Sequence, residues 1–357
     1  MKILFGTSHP KHVYIFKNVI ANLMERGHDV KVIAVEKEIT VYLLTQFDMP
    51  YVVIGKNQPK ICRKLLVLPK WEYITYKIAK EFKPDTFIGR ALPHLAHVSA
   101  ILKKLFIIFE DTEVATALHK ITLPFADAIV TPNCYKGDFG KKHIHFDGYF
   151  ELAYLHPNYF KPNPAILEEL NLSKEDKFVI LRFVAWQASH DVGQSGFDLE
   201  TKRRLVKEIE KYAQVFITSE KPLSKEFEKY RITIPPHKIH DLLYYAQMLV
   251  GDTQTMTTEA GILGTPAIRC NSFVGENDMG NFIELEKKYD LIYSYRDPDK
   301  ALSKALELLK TDNLKREWQK KREKLLSEKI DVTKFIVEFI ENYPRSFHEL
   351  VQSHKKK

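Results

Sequence analysis

The run Gly251–Arg269 brings together residue types that suit a diphosphate and a ribose. An apolar stretch, Met248–Val250, leads into Asp252 and Thr253. A helix pattern follows, with threonines crowded at its start and Glu259 one turn inside. Gly264 ends that pattern, and Pro266 precedes a further apolar stretch at Ala267–Arg269. A helix start rich in hydroxyls and free backbone N–H groups attracts an anion. A carboxylate one turn further in can accept hydrogen bonds from both hydroxyls of a ribose. Together these features point to a nucleotide-sugar site.

Three other loops carry reactive side chains. Gly6-Thr7-Ser8-His9-Pro10-Lys11-His12 follows the first apolar stretch, and His12 is placed to act as a general base or to touch a phosphate. It lacks the glycine spacing and Gly-Lys-Ser ending of a Walker loop. A capped turn with exposed polar residues is the plainer reading. Phe109-Glu110-Asp111-Thr112-Glu113 sets carboxylates straight after a buried strand, where they must face water, a cation or a substrate. Glu110 and Asp111 are therefore candidates for acid/base work or for orienting an acceptor hydroxyl. The alternative is a helix start favoured by acidic residues. The third loop, Val184–Gly196, follows the strand that carries Arg182, a phosphate contact by expectation, and contains His190 beside Asp191. Long loops in compact domains tend to be functional.

Histidine pairs recur at His94/His97, His143/His145 and His237/His240, but no third ligand falls at a recognisable spacing. No metal site and no cofactor are expected. Residues 60–71 interleave Lys60, Arg63, Lys64 and Lys70 with large apolar residues and end in Trp71. That pattern suits peripheral contact with an anionic membrane surface, or a core-facing helix with cationic flanks.

These residues need a scaffold, and the alternation of short apolar runs with helical patterns supplies one. Strands are expected at 2–5, 29–34, 51–54, 86–88, 105–109 and 128–131, with helices near 11–26, 38–47, 60–82, 93–104 and 114–122. A second series has strands at 178–183, 215–218, near Thr233, at 248–250, 267–269 and 291–293. The strands are apolar on both faces, as in a buried parallel sheet. The expected fold is α/β, two doubly wound Rossmann-like domains facing across a cleft, with ligands beyond the carboxyl ends of the strands. Boundaries are expected at 1–155 for an acceptor-side domain and 156–330 for a nucleotide-sugar domain, with Pro- and Asn-rich 154–164 as linker. Residues 331–357 form a helix returning to the first domain and a basic tail. The net charge of +8 suits phosphorylated ligands or a solvated surface, and no stretch interleaves aromatic and basic residues along a sheet face, so nucleic acid is not expected. Three separated cysteines and the lack of a membrane-spanning apolar run fit a cytoplasmic protein.

The chain resembles the GT-B superfamily, which includes UDP-sugar glycosyltransferases and non-hydrolysing UDP-GlcNAc 2-epimerases. Asp252-Thr253, Glu259-Ala260, Leu263-Gly264, Pro266 and Arg269 fall at matching positions of the epimerase motif Asp-Ser-Gly-Gly-x-x-Glu-Glu-Ala…Leu-Gly-x-Pro…Arg. The resemblance implies Thr253 and Thr255 near the diphosphate and Glu259 at the ribose. Departures are also clear: Gln254 and Thr255 replace the paired glycines, Gly6-Thr7-Ser8-His9-Pro10 replaces Gly-Thr-Arg-Pro-Glu, and Gly89-Arg90-Ala91 replaces Gly-Asp-Thr. Acids and an arginine of epimerase chemistry are thus missing. Residues 6–13, 109–113, 148–157 and 251–269 most resemble a group of archaeal and bacterial GT-B-like proteins classed as a domain of unknown function.

The expected activity is metal-independent transfer of a sugar from a nucleoside-diphosphate sugar, UDP-linked by resemblance, to a hydroxyl of a sugar or polyprenyl-linked acceptor. Thr253, Thr255, Glu259, Arg269, Arg182 and His190 are the expected binding residues; His12, Glu110 and Asp111 are the expected catalytic ones. The alternatives are a sugar-nucleotide epimerase or hydrolase on the same fold, and a nucleotide-binding protein without catalysis.

Overall fold

A computed structural model of the chain describes residues 1–58, 60–184, 196–220, 222–276 and 278–355. They form two compact units, Met1–Tyr159 with Lys329–Lys357, and Phe160–Glu328.

The first unit is built on seven strands: β1 (Lys2–Thr7), β2 (Asp29–Glu36), β3 (Tyr51–Lys56), β4 (Thr86–Gly89), β5 (Leu105–Phe109), β6 (Ala128–Pro132) and β7 (His143–Phe146). All pair in parallel in the order β3-β2-β1-β4-β5-β6-β7. The central strands β4 and β6 are buried at every position, because helices cover both faces. The edge strands β3 and β7 alternate or expose residues instead. The chain turns outward from β1 to β3, then crosses back to β4. The carboxyl ends of β1 and β4 therefore form a topological switch point, where α/β sheets bind ligands.

Helix Val332–Glu341 belongs to this unit and covers helix Pro10–Glu25. Asn18 Nδ2 and Thr333 Oγ1, one from each helix, donate to the same carbonyl, Ala153 O, at 2.8 and 2.7 Å. Phe339 meets Phe109 edge to face, and Phe335 stacks on Phe146.

The second unit has five parallel strands: β8 (Phe178–Phe183), β9 (Gln214–Ser219), β10 (Met248–Gly251), β11 (Ala267–Cys270) and β12 (Ile292–Tyr295). Their order, β12-β11-β10-β8-β9, puts the switch point between β8 and β10. Helix Thr255–Leu263 follows β10 and is buried from Met256 to Leu263. Gly264, at φ +71°, ends it in the left-handed conformation that glycine adopts most easily. Gln319 Nε2 and Arg322 Nε from helix Leu314–Glu328 donate to its last carbonyls, Leu263 O and Ile262 O, each at 3.0 Å. A cation there also complements the helix dipole.

Three elements differ from expectation. The strand near Thr233 is a single bridge, Ile217 to Arg231, because Pro235 and Pro236 follow at once. β7 is an additional strand, hidden by its short polar–apolar alternation. Residues of the expected tail form helix Arg345–Lys355, in which Phe347, Leu350 and Val351 share helical spacing. Among the described residues no helix is long and apolar enough to cross a membrane.

Ile336 is fully buried where the returning helix covers the first unit. Ile336→Ala should cost about 2–5 kcal/mol in urea unfolding; a change below about 0.5 kcal/mol would show that the helix does not dock as described.

Candidate functional site

In the second unit Thr253, Thr255 and Glu259 follow β10, and Arg269 lies on the neighbouring strand β11. Asp252 is the organising group. Its carboxylate accepts from Val184 N at 2.8 Å and Phe197 N at 3.3 Å, tying the chain on either side of residues 185–195 to the end of β10. Gly196 fits only because it has no side chain, since a Cβ there would lie 2.0 Å from Asp252 Oδ2. Thr253 and half-buried Thr255 lead into helix Thr255–Leu263, whose start has no side-chain cap. The carbonyl of Thr253 accepts from Thr257 Oγ1 at 2.8 Å. Glu259 lies one turn inside, buried, with Oε1 3.0 Å from His240 Nε2. No sequence spacing places His240 beside Glu259; that contact depends on tertiary packing.

Arg269 on β11 is fully buried, and its guanidinium lies over the Phe282 ring at 3.6 Å. Nη2 pairs with Asp278 and contacts Ser294 Oγ at 3.3 Å, while Nε and Nη1 have no hydrogen-bond partner. Arg182 reaches sideways along the sheet to Thr218 Oγ1 (3.0 Å) and Glu220 Oε1 (2.9 Å). His190 lies outside the described residues.

In the first unit a buried charge network occupies the carboxyl ends of β1, β4 and β5. Arg90, directly after β4, directs Nη2 to Glu110 Oε1 (2.5 Å), Asp111 Oδ1 and Thr112 Oγ1 (3.1 Å). Lys11 Nζ bridges Asp111 Oδ2 and Glu151 Oε1, both at 2.8 Å. Glu110 Oε1 also accepts from the backbone N–H groups of Asp111 and Thr112 at 2.9 and 2.8 Å. Its Oε2 has looser neighbours, Ala91 N at 3.3 Å and His119 Nε2 at 3.9 Å.

The protonation states follow from these contacts. Burial opposes ionisation of Asp111, but Arg90 and Lys11 outweigh it and hold the carboxyl well below its usual range. Burial likewise opposes charge on Lys11 and is overcome by Asp111 and Glu151, which raise its pKa. For Glu151 burial, aided by Asp111, prevails over Lys11 and raises the pKa.

His12 and His9 are half-buried, and both are pushed well below the ordinary imidazole value. Burial is the largest cause for each. Arg90 is the next for His12 and Lys37 for His9. Both rings are therefore neutral at pH 7. Their tautomers are set as well: His9 Nδ1 accepts from Lys11 N at 3.1 Å and caps its helix, and His12 Nδ1 accepts from Ser8 N at 3.3 Å. In each, Nε2 carries the hydrogen and is a donor.

The sequence drew attention to His12, Glu110 and Asp111 but gave Arg90 weight only as a missing acid and gave Glu151 none. Residues 61–71 lie in helix Ile61–Phe82, with Lys60 just before it, and Leu65 and Leu66 are 60% and 79% exposed there. Among the other histidines, His97 contacts Glu72, and His143 and His145 flank Thr131 Oγ1 at 2.8 and 2.9 Å. Among the described residues no group of three His, Cys, Asp or Glu could hold a metal ion.

Two parallel-sheet units with helices on both faces and loops at switch points define the GT-B fold, and solved structures agree. The S. aureus MnaA–UDP co-structure is similar over 97% of each chain, with a TM-score of 0.67 at 11% identity. A UDP-GlcNAc 2-epimerase from Neisseria meningitidis bound to UDP-GlcNAc matches 96% of this chain and all of its own, with TM-score 0.63 at 13% identity. The spinosyn forosaminyltransferase SpnP gives a TM-score of 0.64 at 14% identity, covering 96% of this chain and all of its own. Identities this low carry the fold alone. The chain belongs to the family described as protein of unknown function DUF354, whose model matches residues 1–345. An uncharacterized protein of Methanocaldococcus jannaschii is 25% identical over 281 residues, covering 76% of this chain and 82% of its own.

Two outcomes are expected. Arg90→Ala leaves two buried carboxylates without their guanidinium and should destabilise the protein by about 3–5 kcal/mol in urea unfolding; a loss under about 1 kcal/mol would contradict the network. His9 and His12 have lowered folded pKa values, and His94 is pushed down to about 4 by burial and His97. The unfolded chain therefore binds protons that the folded one refuses. Stability from these groups is present above about pH 6.5 and lost as the pH falls toward 4. Unfolding free energy should decline across that window, by about 1.4 kcal/mol per pH unit for each proton taken up; a flat profile would contradict neutral, buried imidazoles.

Proposed function

We propose that this protein transfers a sugar from a nucleoside-diphosphate sugar to an acceptor hydroxyl, without a metal. One observation carries the reading: at the switch point of the second sheet, an uncapped helix start stands beside a carboxylate one turn inside that lies 3.0 Å from an imidazole. The exposed N–H groups at Thr255 suit the diphosphate, and Glu259 suits the ribose hydroxyls. The Nε–Nη1 edge of Arg269 is the proposed cation for the departing diphosphate.

On the acceptor side, Asp111 is too firmly held as a carboxylate to serve as a base. It orients the network instead. Glu110 is the proposed proton acceptor, because Oε1 is committed to Arg90 and two backbone N–H groups while Oε2 has only loose neighbours. The acceptor oxygen bonds to the anomeric carbon, the bond to the diphosphate breaks, and the hydroxyl proton passes to Glu110. His12 binds the acceptor through Nε2–H.

The exposed Leu65 and Leu66, among Lys60, Arg63, Lys64 and Lys70 with no acidic residue from 60 to 71, support a lipid-linked acceptor reached at the inner face of the membrane.

Calorimetry tests the donor side. Wild type should bind UDP or a UDP-sugar, and Glu259→Ala should weaken binding at least tenfold; binding unchanged by that substitution would overturn the reading. Glu110→Gln should keep nucleotide affinity and lose roughly 10²–10⁴-fold in turnover; full turnover would remove Glu110 from the proton path. For the membrane, wild type should sediment with vesicles containing phosphatidylglycerol and Leu65→Ser/Leu66→Ser should stay in solution. Equal sedimentation of the two would refute contact through this helix.

A further inference from the structure

The buried network of the first unit has more hydrogen-bond donors than the protein uses. Arg90 makes its side-chain hydrogen bonds through Nη2, and Nε and Nη1 have no partner although the residue is almost wholly buried. Thr7 Oγ1, at the carboxyl end of the neighbouring strand β1, is also fully buried and without a partner. Unpaired groups of this kind are costly, and they are usually satisfied by something. The carboxylates at hand do not satisfy them, since Glu110 and Asp111 meet Arg90 through Nη2 alone.

The adjoining loop adds donors of the same kind. His9 and His12 each use Nδ1 as an acceptor, so each presents Nε2–H. Their rings stand 5.9 Å apart at the start of helix Pro10–Glu25, whose dipole favours an anion. The charges acting on His9 are the cations Lys37, Lys11 and Arg90. Those acting on His12 are Arg90, Lys37 and Lys11 against one carboxylate, Asp111, which Arg90 and Lys11 already hold. A guanidinium edge, a hydroxyl and two neutral imidazole N–H groups around a helix start match the oxygens of a tetrahedral anion and offer little to a sugar ring.

We propose that the carboxyl ends of β1 and β4 bind a phosphate group, held by the Nε–Nη1 edge of Arg90, the Thr7 hydroxyl and the Nε2–H groups of His9 and His12. This deepens the acceptor side of the transfer reading and rests on it for one consequence: the acceptor is a phosphorylated molecule. Phosphate binding itself is independent of the transfer reaction.

The test is calorimetric titration of the full-length protein with inorganic phosphate, with acetate at equal ionic strength as the control. Wild type should bind phosphate saturably and acetate not at all. Thr7→Val removes only a buried hydroxyl, so it should fold, melt at the same temperature or higher, and bind phosphate at least fivefold more weakly. Arg90→Lys keeps the charge but not the donor edge and should weaken phosphate binding at least tenfold. UDP affinity should stay unchanged in Thr7→Val, because the nucleotide is proposed to bind the other unit. Absence of saturable phosphate binding by wild type, or phosphate affinity equal to wild type in both variants, would overturn the site. Failure of UDP to bind alongside intact, Thr7-dependent phosphate binding would sink the donor assignment and leave this site standing.

Discussion

The first unit depends on one interaction, the clasp of Arg90 on Glu110 and Asp111. Taking a guanidinium and two carboxylates out of water costs several kcal/mol per ion, and hydrophobic residues of the same volume would stabilise the sheet at least as well. Each ion is tolerated because another holds it: Arg90 holds Glu110 and Asp111, and Lys11 ties Asp111 to Glu151. The result joins the ends of β4 and β5 to the loop after β1 and to the segment before helix Leu152–Leu155. Leu95 helps to bring them close, for a Cβ on Gly6 would lie 2.2 Å from its Cδ1. A fold needing only stability has no use for such a cluster. Its position is the switch point of the sheet, where the proposed acceptor and phosphate contacts lie.

The second unit solves a similar problem with backbone and buried side chains. Asp252 gathers the two ends of the segment after β8, and its own carbonyl accepts from Asn271 Nδ2 at 3.2 Å. Helix Thr255–Leu263 is held at its start by the bond from Thr257 Oγ1 to the Thr253 carbonyl and at its end by Gln319 and Arg322. A helix fixed in this way keeps its N-terminal N–H groups in place without a side-chain cap. Under the donor-site proposal, that arrangement receives the diphosphate with little reorganisation.

The central strands were legible because burial on both faces leaves near-continuous apolar runs, as in Phe178–Phe183 and Leu105–Phe109. The switch from strand to helix at Asp252–Thr255 was legible from its turn residues and from Gly264. Less could be read where structure depends on distant partners. β7 has four residues and a half-exposed face, so its pattern is too short to stand out. Arg90 meets Glu110 and Asp111 only when β4 and β5 pair, and Glu151 joins them only through Lys11 of the loop after β1. The tautomers of His9 and His12 depend on backbone N–H groups that no spacing rule reveals. Arg182 reads as a phosphate ligand from its position at a strand end, yet its guanidinium is engaged by Thr218 and Glu220 on the neighbouring strand's side.

The central claim is that a nucleoside diphosphate binds at the start of helix Thr255–Leu263. A crystal structure of the full-length protein soaked with UDP tests it most directly. The account requires the diphosphate at the backbone N–H groups of Thr255 and its neighbours, with the ribose hydroxyls on Glu259. Nucleotide bound away from the carboxyl ends of β8 and β10, or a ribose out of reach of Glu259, would contradict it.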